Sequence, residues 1–321
     1  MPFDAICGQE HALGVLKRAL AANRVAHAYL FEGVSGCGKM LAALSLVESL
    51  FCGATPPCGS CPACRKLSRR QHPDLHLLEP EKGIIKIDRI RELQKELSLR
   101  PVEAPKKVCI VDQADRMNQA AANAFLKTLE EPPGNALLIL LSDTPTALLP
   151  TILSRCQRLR FNPLPQELLT KLLTAQGAPV EQAQSAASLA GGSMARGMAT
   201  LQEGFLARRK EIVEQTTSLT HRDFALLTST AERLGHDREQ AQEVVEVLTL
   251  FFRDVMLCHH GAEPAVNTDL MELVQRTAGA LSPGDIIKSL DAIIRAGQSL
   301  LRNVNPRLTL EALFLELAVG N

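Results

Sequence analysis

The sequence predicts an α/β fold followed by an all-helical remainder, and three observations carry that expectation. Short apolar runs alternate with helical periodicity between residues 28 and 161, the pattern of a parallel sheet covered by helices on both faces. A glycine-rich turn, Gly33-Val34-Ser35-Gly36-Cys37-Gly38-Lys39-Met40, joins the first of these runs to a helix. After Asn162-Pro163-Leu164-Pro165 strand signals largely vanish, and helical periodicity continues to Val319.

The elements follow in order. An amphipathic helix passes through Leu13, Leu16 and Leu20, then the strand Ala28-Tyr29-Leu30-Phe31, the glycine turn and a helix to about Leu50. Cys52, Cys58, Cys61 and Cys64 stand among Gly53, Pro56, Pro57, Gly59 and Pro62, which cannot continue a helix and mark an insert. Residues 75 to 78 and Ile84-Ile85-Lys86-Ile87 read as short strands. Asp88 is the expected cap of a helix through Ile90, Leu93 and Leu97. Val108-Cys109-Ile110-Val111 is a buried-type strand ending in Asp112. Asn118 caps a helix through Ala121, Phe125 and Leu129 that Pro132-Pro133 stop. Residues 137 to 141 form another strand, 151 to 158 a helix, and Leu159-Arg160-Phe161 an extended segment.

Further helices are expected over 167–175 and 181–189, ending at Gly191-Gly192. From Leu201 onward the helical pattern breaks near Gly235, from Gly261 to Pro264, and at Pro283-Gly284. The proposed borders fall near 162 and 205. They give a phosphate-loop domain 1–162 with the cysteine insert at about 52–64, a small helical domain 163–205 and a helical domain 206–321.

Composition narrows the function classes. The 321 residues are 46% apolar and carry 35 basic against 35 acidic side chains. That balance argues against nucleic-acid binding driven by net charge. Ten Phe, one Tyr and no Trp leave few stacking platforms. No apolar run has the length of a membrane span, and Met-Pro-Phe-Asp starts no leader pattern. The expectation is a cytoplasmic chain whose nine cysteines are thiols or metal ligands rather than disulfides.

Four motifs carry chemistry. The glycine turn has the spacing G-x-x-x-x-G-K of a phosphate-binding loop. Gly33, Gly36 and Gly38 let the backbone turn its N–H groups toward an anion, and Lys39 can reach outer phosphates. At the last position a hydroxyl would ligate magnesium. Met40 stands there, and a thioether is a poor ligand for a hard cation. Cys37 reads as a space-filler. Asp112, at the end of a buried strand, is where magnesium would be held, with Gln113 where a water-activating Glu would follow. An amide cannot take a proton from water at neutral pH.

Two losses in one chemistry argue against hydrolysis, and leave nucleotide binding open. The spacing C-x5-C-x2-C-x2-C suits a closed tetrahedral zinc site, with no position open for catalysis. The adjoining Arg65, Lys66, Arg69 and Arg70 read as a solvated basic face, with contact to nucleic acid or a partner as the alternative. Ser154-Arg155-Cys156 closes the series, with an arginine that stability does not explain.

Several words of the sequence together resemble clamp-loader subunits of the AAA+ superfamily, from bacterial DNA polymerase III. They are residues 3 to 9, His27-Ala28-Tyr29-Leu30-Phe31, the phosphate loop, the four cysteines, Ile85-Lys86-Ile87-Asp88 and Asp115-Arg116-Met117-Asn118. The run from Ala122 to Pro133 and Ser154-Arg155-Cys156 complete them. The resemblance covers about residues 1 to 200; the rest agrees in length and class. It implies a zinc module, with a short first spacer here, and a lid over 163–205. It also implies a collar built from the last domain. The runs Leu248 to Phe252 and Leu310 to Leu317 are candidates for faces shared in that collar.

The resemblance implies that Arg155 is a trans arginine finger offered to a neighbour's ATP site. It puts Ser142 at the sensor-1 position. Arg196 lies one place late for sensor 2 after Gly192-Ser193, so its sensing role is not carried over. The expected function is a non-motor, stator-like subunit, with an active ATPase motor of the same machine as the alternative. Implied partners are gamma/tau-type motor subunits and a delta subunit in a five-subunit ring. The sliding clamp and primer–template DNA would be met mainly through that assembly. Structural zinc is the expected cofactor; binding of ATP or ADP is left open, and hydrolysis is not expected.

Overall fold

The computed structural model describes residues 3–134, 136–220, 223–262, 266–302 and 304–318. The chain divides into two compact units, Met1–Gly197 and Met198–Asn321. Pro264 and Val319, at which the sequence marks a break and an end, lie outside the described residues.

The first unit is built on five strands: β1 (Ala28–Glu32), β2 (Leu75–Leu78), β3 (Val108–Val111), β4 (Leu137–Ser142) and β5 (Gln157–Arg160). Their order is β2-β3-β4-β1-β5, and every pairing is parallel. Side chains alternate across the sheet because strands have a period of two. Tyr29, Phe31, Ile110, Ile139 and Leu141 face one layer. There they meet α1 (Glu10–Ala21) and α2 (Lys39–Phe51) through Leu13, Leu16, Leu46 and Val47. Leu30, Cys109, Val111, Leu138 and Leu140 face the other layer. That layer is α4 (Ile87–Ser98) and α5 (Gln119–Glu130), through Ile90, Leu93, Phe125 and Leu129; α3 (Pro62–Ser68) belongs to the cysteine insert.

Local differences from the sequence reading have physical causes. The run 84–87 makes two isolated bridges, Glu81 with Ile84 and Ile85 with Met117, and Ile87 already opens α4. The backbone of Ile85 is used up by Arg116 and Asn118, at 2.9 and 3.1 Å, so no ladder extends from it. Lys86, not Asp88, is the N-cap of α4, and Asp88 sits in the first turn, where a carboxylate complements the helix dipole. Asn118 caps α5 as expected, accepting from Ala121 N–H at 2.8 Å. The helix expected over 151–158 is the single turn α6 (Pro150–Leu153). β5 begins at Gln157 because its pairing with β1 runs from Tyr29–Gln157 to Glu32–Arg160.

Two helices, α7 (Gln166–Ala175) and α8 (Val180–Leu189), bury Leu169, Leu173, Ala183 and Ala186. They lead to α9 (Met194–Thr200). Gly192 has φ +82°, and a Cβ there would lie 2.4 Å from Pro163 Cβ.

The second unit is helical: α10 (Phe205–Thr217), α11 (Phe224–Leu234), α12 (Arg238–His259), α13 (Met271–Ala280), α14 (Pro283–Leu301) and α15 (Pro306–Ala318). Leu248 and Phe251 on α12, and Leu310, Leu313, Phe314 and Leu317 on α15, are buried in this unit's own core. Most of the apolar side chains in the two runs offered for a shared collar are therefore spent internally, with Leu315 left exposed. Arg209 is almost wholly buried and bonds Asp269 at 2.7 and 3.0 Å and the Asn267 amide oxygen. Asn267 in turn donates to the buried Asp254 carboxylate at 2.6 and 2.8 Å. A buried guanidinium held this way ties the 266–270 connection to α10 and α12.

At the N-terminal edge of the sheet two histidines are withdrawn from water. His72 Nδ1 accepts from Asp74 N–H at 3.1 Å, which leaves the proton on Nε2. Burial holds His72 below the usual histidine range, against the pull of Asp74 and Glu103. Burial, helped by the Lys107 charge, does the same to His76. Both folded pKa values are depressed, so the unfolded chain binds more protons in acid. Their contribution is complete above an unfolded pKa of about 6.5 and is lost as pH falls through it. The urea midpoint of the protein should therefore be lower at about pH 5.5 than at about pH 7.5, and a His72→Gln/His76→Gln variant should flatten the difference.

Candidate functional site

Parallel strands bring their carboxyl ends to one edge, and there β1, β3 and β4 surround a cavity of about 400 Å³. Its walls include Gly36, Gly38, Lys39, Met40, Asp112, Gln113 and Asp143. Gly33 and Ser142 are not among the lining residues. Gly38, with φ +105°, is the N-cap of α2 and offers no side-chain cap. The first N–H groups of that helix are thus available to an anion.

Lys39 is 6% exposed, and its ammonium is saturated by three acceptors. It donates to Gly33 O at 2.5 Å, to Val34 O at 2.8 Å and to Asp143 Oδ1 at 2.7 Å. An ammonium has three hydrogens, so a phosphate would have to displace one of these partners. Asp112 accepts from Gln113 N–H at 2.9 Å. Burial pushes its carboxyl above the usual range, and Asp143 and Glu79 add to that while Lys39 opposes it. Met40 lines the cavity and also packs on the core layer of α1 and α2. Cys37 is buried, and burial raises its thiol pKa, as a packing role requires.

Ser142 is fully buried and donates to Asp115 Oδ1 at 2.7 Å, and Asp143 N–H meets the same oxygen at 3.2 Å. Asp115 thereby orients the end of β4 and leaves Asp143, not Ser142, facing Lys39. Sequence reasoning gave Asp143 no role and named Asp115 only within the word Asp115-Arg116-Met117-Asn118. The available signal was the polar pair Ser142-Asp143 at a strand end, where alternation lets only one of the two face the cavity. Arg196 is not a lining residue; its backbone N–H donates to Ser193 Oγ at 3.1 Å.

Arg155 lies between α6 and β5, away from the cavity lining. Its guanidinium bonds Glu130 Oε1 at 2.7 Å, Thr151 O at 3.2 Å and Ser154 Oγ at 3.3 Å, with the side chain 37% exposed. Burial pushes the neighbouring Cys156 thiol up to about 12, so Cys156 is an inert anchor beside it.

The sulfurs of Cys52, Cys58, Cys61 and Cys64 lie within 4.8 Å of one another. The Cys52–Cys58 and Cys52–Cys61 separations are 3.7 and 4.0 Å. A tetrahedral thiolate site with metal–sulfur bonds of about 2.3 Å has edges of about 3.8 Å. Backbone N–H groups of Cys58, Cys61 and Cys64 point at the preceding cluster sulfurs at 3.3 to 3.5 Å, which favours thiolates. The N–H groups of Ser60 and Cys61 draw Cys58 down to about 6, while burial pushes Cys64 up to about 12. The donor set fits a metal ion with all four positions filled by protein.

The loop also meets the start of α9. Met194 N–H donates to Gly36 O at 3.1 Å, and a Cβ on Gly36 would lie 2.6 Å from Ser193 Oγ and 2.8 Å from Ala195 N. With φ +71° as well, Gly36→Ala should destabilise the chain by about 1–3 kcal/mol in urea unfolding. Gly14→Ala, inside α1 and in ordinary contact only, should be neutral or stabilising by up to about 1 kcal/mol.

Comparison with known proteins agrees with this layout. A family model described as "DNA polymerase III, delta subunit" matches residues 8–165, and one described as "DNA polymerase III, delta subunit, C terminal" matches 203–318. DNA polymerase III subunit delta' of Bacillus subtilis is 31% identical over 318 residues, 97% of each chain. DNA polymerase III subunit gamma/tau of Mycobacterium bovis is 31% identical over 99% of this chain and 57% of its own length. A crystal structure of a gamma-subunit-related protein of Thermotoga maritima shares the fold, with a TM-score of 0.52 and 23% identity over 95% of this chain and 99% of that one. On the matched length, the paired family models and the identity to delta', the chain belongs to the delta' family of DNA polymerase III clamp-loader subunits.

Proposed function

We propose that this chain is the non-motor, stator-like subunit of its clamp loader, and that its working residue is Arg155 rather than its own phosphate loop. The observation that carries the reading is the cavity wall. Met40 stands where a magnesium ligand is required and Gln113 where a base is required, while Lys39 already has three partners. ATP or ADP would enter by displacing Asp143 or a loop carbonyl, and the position after Asp112, where a water-activating carboxylate is expected, offers only the Gln113 amide. In this reading the chain itself does not turn nucleotide over, whether or not the loop holds one.

Arg155 suits a role in trans. Its pair with Glu130 is exposed on both sides, and such pairs are worth about 0–1 kcal/mol. A phosphate of a neighbouring subunit could therefore take the guanidinium from Glu130 at little cost. In this reading residues 1–162 form the AAA+ domain, 163–205 the lid and 206–321 the collar. The collar finds support in exposed apolar stripes at seven-residue spacing, Ile287, Ile294 and Leu301 on α14, then Leu308 and Leu315 on α15. The neighbours would be gamma/tau-type motor subunits and a delta subunit, with the sliding clamp and primer–template DNA met through the ring. The rival reading, an active motor subunit, requires ATP turnover that Lys39→Ala removes.

Arg155→Ala should leave the isolated chain's melting curve unchanged. In the reconstituted ring it should slow single-turnover hydrolysis at the adjoining ATP site by up to about 10³-fold, the lower end for arginine fingers. Unchanged ring kinetics would remove the finger. The isolated chain should turn over ATP no faster than its Lys39→Ala variant.

The cysteine cluster is assigned to structural zinc, on the sulfur spacing and the absence of an open position in the donor set. Purified protein should carry one zinc per chain by elemental analysis, and Cys61→Ser should weaken zinc retention against a chelator by at least tenfold, since each ligand carries a share of about 10–16 kcal/mol.

A further inference from the structure

The basic helix beside the cysteines has no place in the function above, and the structure gives it a specific neighbour. Lys66 on α3 donates to both carboxylate oxygens of Glu103, at 2.5 and 2.7 Å. Glu103 belongs to the 99–106 connection, which leaves α4 and enters β3. That connection is fixed from beneath by Asp74, fully buried, whose carboxylate accepts three successive backbone N–H groups. They are Val102 at 2.7 Å, Glu103 at 2.8 Å and Ala104 at 2.8 Å. Lys107, also buried, ties the far end to Glu96 O at 2.5 Å. Yet the connection turns its apolar side chains outward. Leu99 is 59% exposed and Val102 70% exposed.

A buried carboxylate is costly unless fully hydrogen-bonded, and here its bonds hold an exposed loop in one shape. A surface so ordered before binding loses little entropy on binding. On α3, its C-cap and the connection, the one acid, Glu103, is paired with Lys66, and the charged side chains left without an ion pair among the described residues are all cations. They are Arg65 on α3, Arg69 at its C-cap, and Arg100 and Lys106 on the connection. No aromatic ring stands among these six residues to stack a base. The patch also lies at the N-terminal ends of β2 and β3, the opposite edge of the sheet from the Lys39 cavity.

We propose that Leu99 and Val102, framed by Arg65, Arg69, Arg100 and Lys106, form a docking surface for an acidic peptide segment bearing apolar side chains. The apolar pair supplies the anchor and the four cations select the charge. The cysteine insert then has a second task, because the Lys66–Glu103 pair couples its helix to the shape of the connection. Occupancy of this surface leaves the cavity and Arg155 free.

The test is panning of the full-length, zinc-loaded chain against a phage-displayed library of random short peptides, with Leu99→Ser/Val102→Ser panned in parallel. Both side chains are exposed, so the variant should melt as the parent does. The expected result is recovery of peptides that combine Asp or Glu with Leu, Ile or Phe. Their synthetic forms should bind the parent at least about tenfold more tightly than the variant, and Arg69→Glu/Arg100→Glu should weaken them by a similar factor. Recovery of no such peptides, or equal binding to parent and both variants, overturns the proposal. A fluorescent oligo-dT that binds the parent and is lost in the same variants also overturns it, and gives the patch to single-stranded nucleic acid.

Discussion

The structure of the first unit depends on burying both faces of a five-stranded parallel sheet. That requirement fixes which groups can meet. Crossover helices return each strand to the same starting edge, so the carboxyl ends of β1, β3 and β4 present Gly33, Asp112 and Ser142 together. The opposite edge receives Asp74, Lys107 and the cysteine insert. Chemistry therefore has two addresses on this unit, separated by the full length of the strands.

At the first address the decisive contact is the ammonium of Lys39. Two carboxylates, Asp112 and Asp143, share a cavity with that one cation, and Asp143 is bonded to it. A polyphosphate would enter a space whose fixed charge is already balanced or negative. The energetic case for turnover is weaker still. Met40, partly buried, packs against the core of the α1–α2 layer as well as lining the cavity, so a thioether in apolar contact stands at the position where a magnesium ligand is expected. On the proposed reading, a hydroxyl restored at Met40 alone would not give turnover, because Gln113 separately stands where a water-activating base is expected.

Much of this was legible in the sequence because it is local. Glycine spacing, strand runs and the cysteine spacing are short-range patterns, and Gly36, Gly38, Lys39, Met40 and Asp112 do share one cavity. What was not legible is long-range. Asp115 and Asp143 are 28 residues apart and meet only because β3 and β4 pair. Ser142 read as a cavity residue until strand alternation turned it toward Asp115. Leu310 and Leu317 read as interface residues because apolar periodicity says that a face is buried without saying in what. Their partners, from Leu234 to Leu300, are set by how six helices pack, and single-helix patterns do not encode that.

Arg155 illustrates how a side chain can be placed firmly and held loosely. Its backbone is fixed by Ile152 O, by the turn of α6 and by β5, whose register against β1 is set by four residue pairs. Cys156, partly buried next to it, packs against the core layer of α4 and α5. The guanidinium itself is restrained only by an exposed carboxylate, a carbonyl and a hydroxyl. Net stability from such contacts is small because water competes for each. A phosphate competes better, since it offers more negative charge and bidentate geometry. On the proposed reading, a rigid stem with a weakly held tip would let this subunit lend a cation to a neighbour. It requires no rearrangement of the fold that carries it.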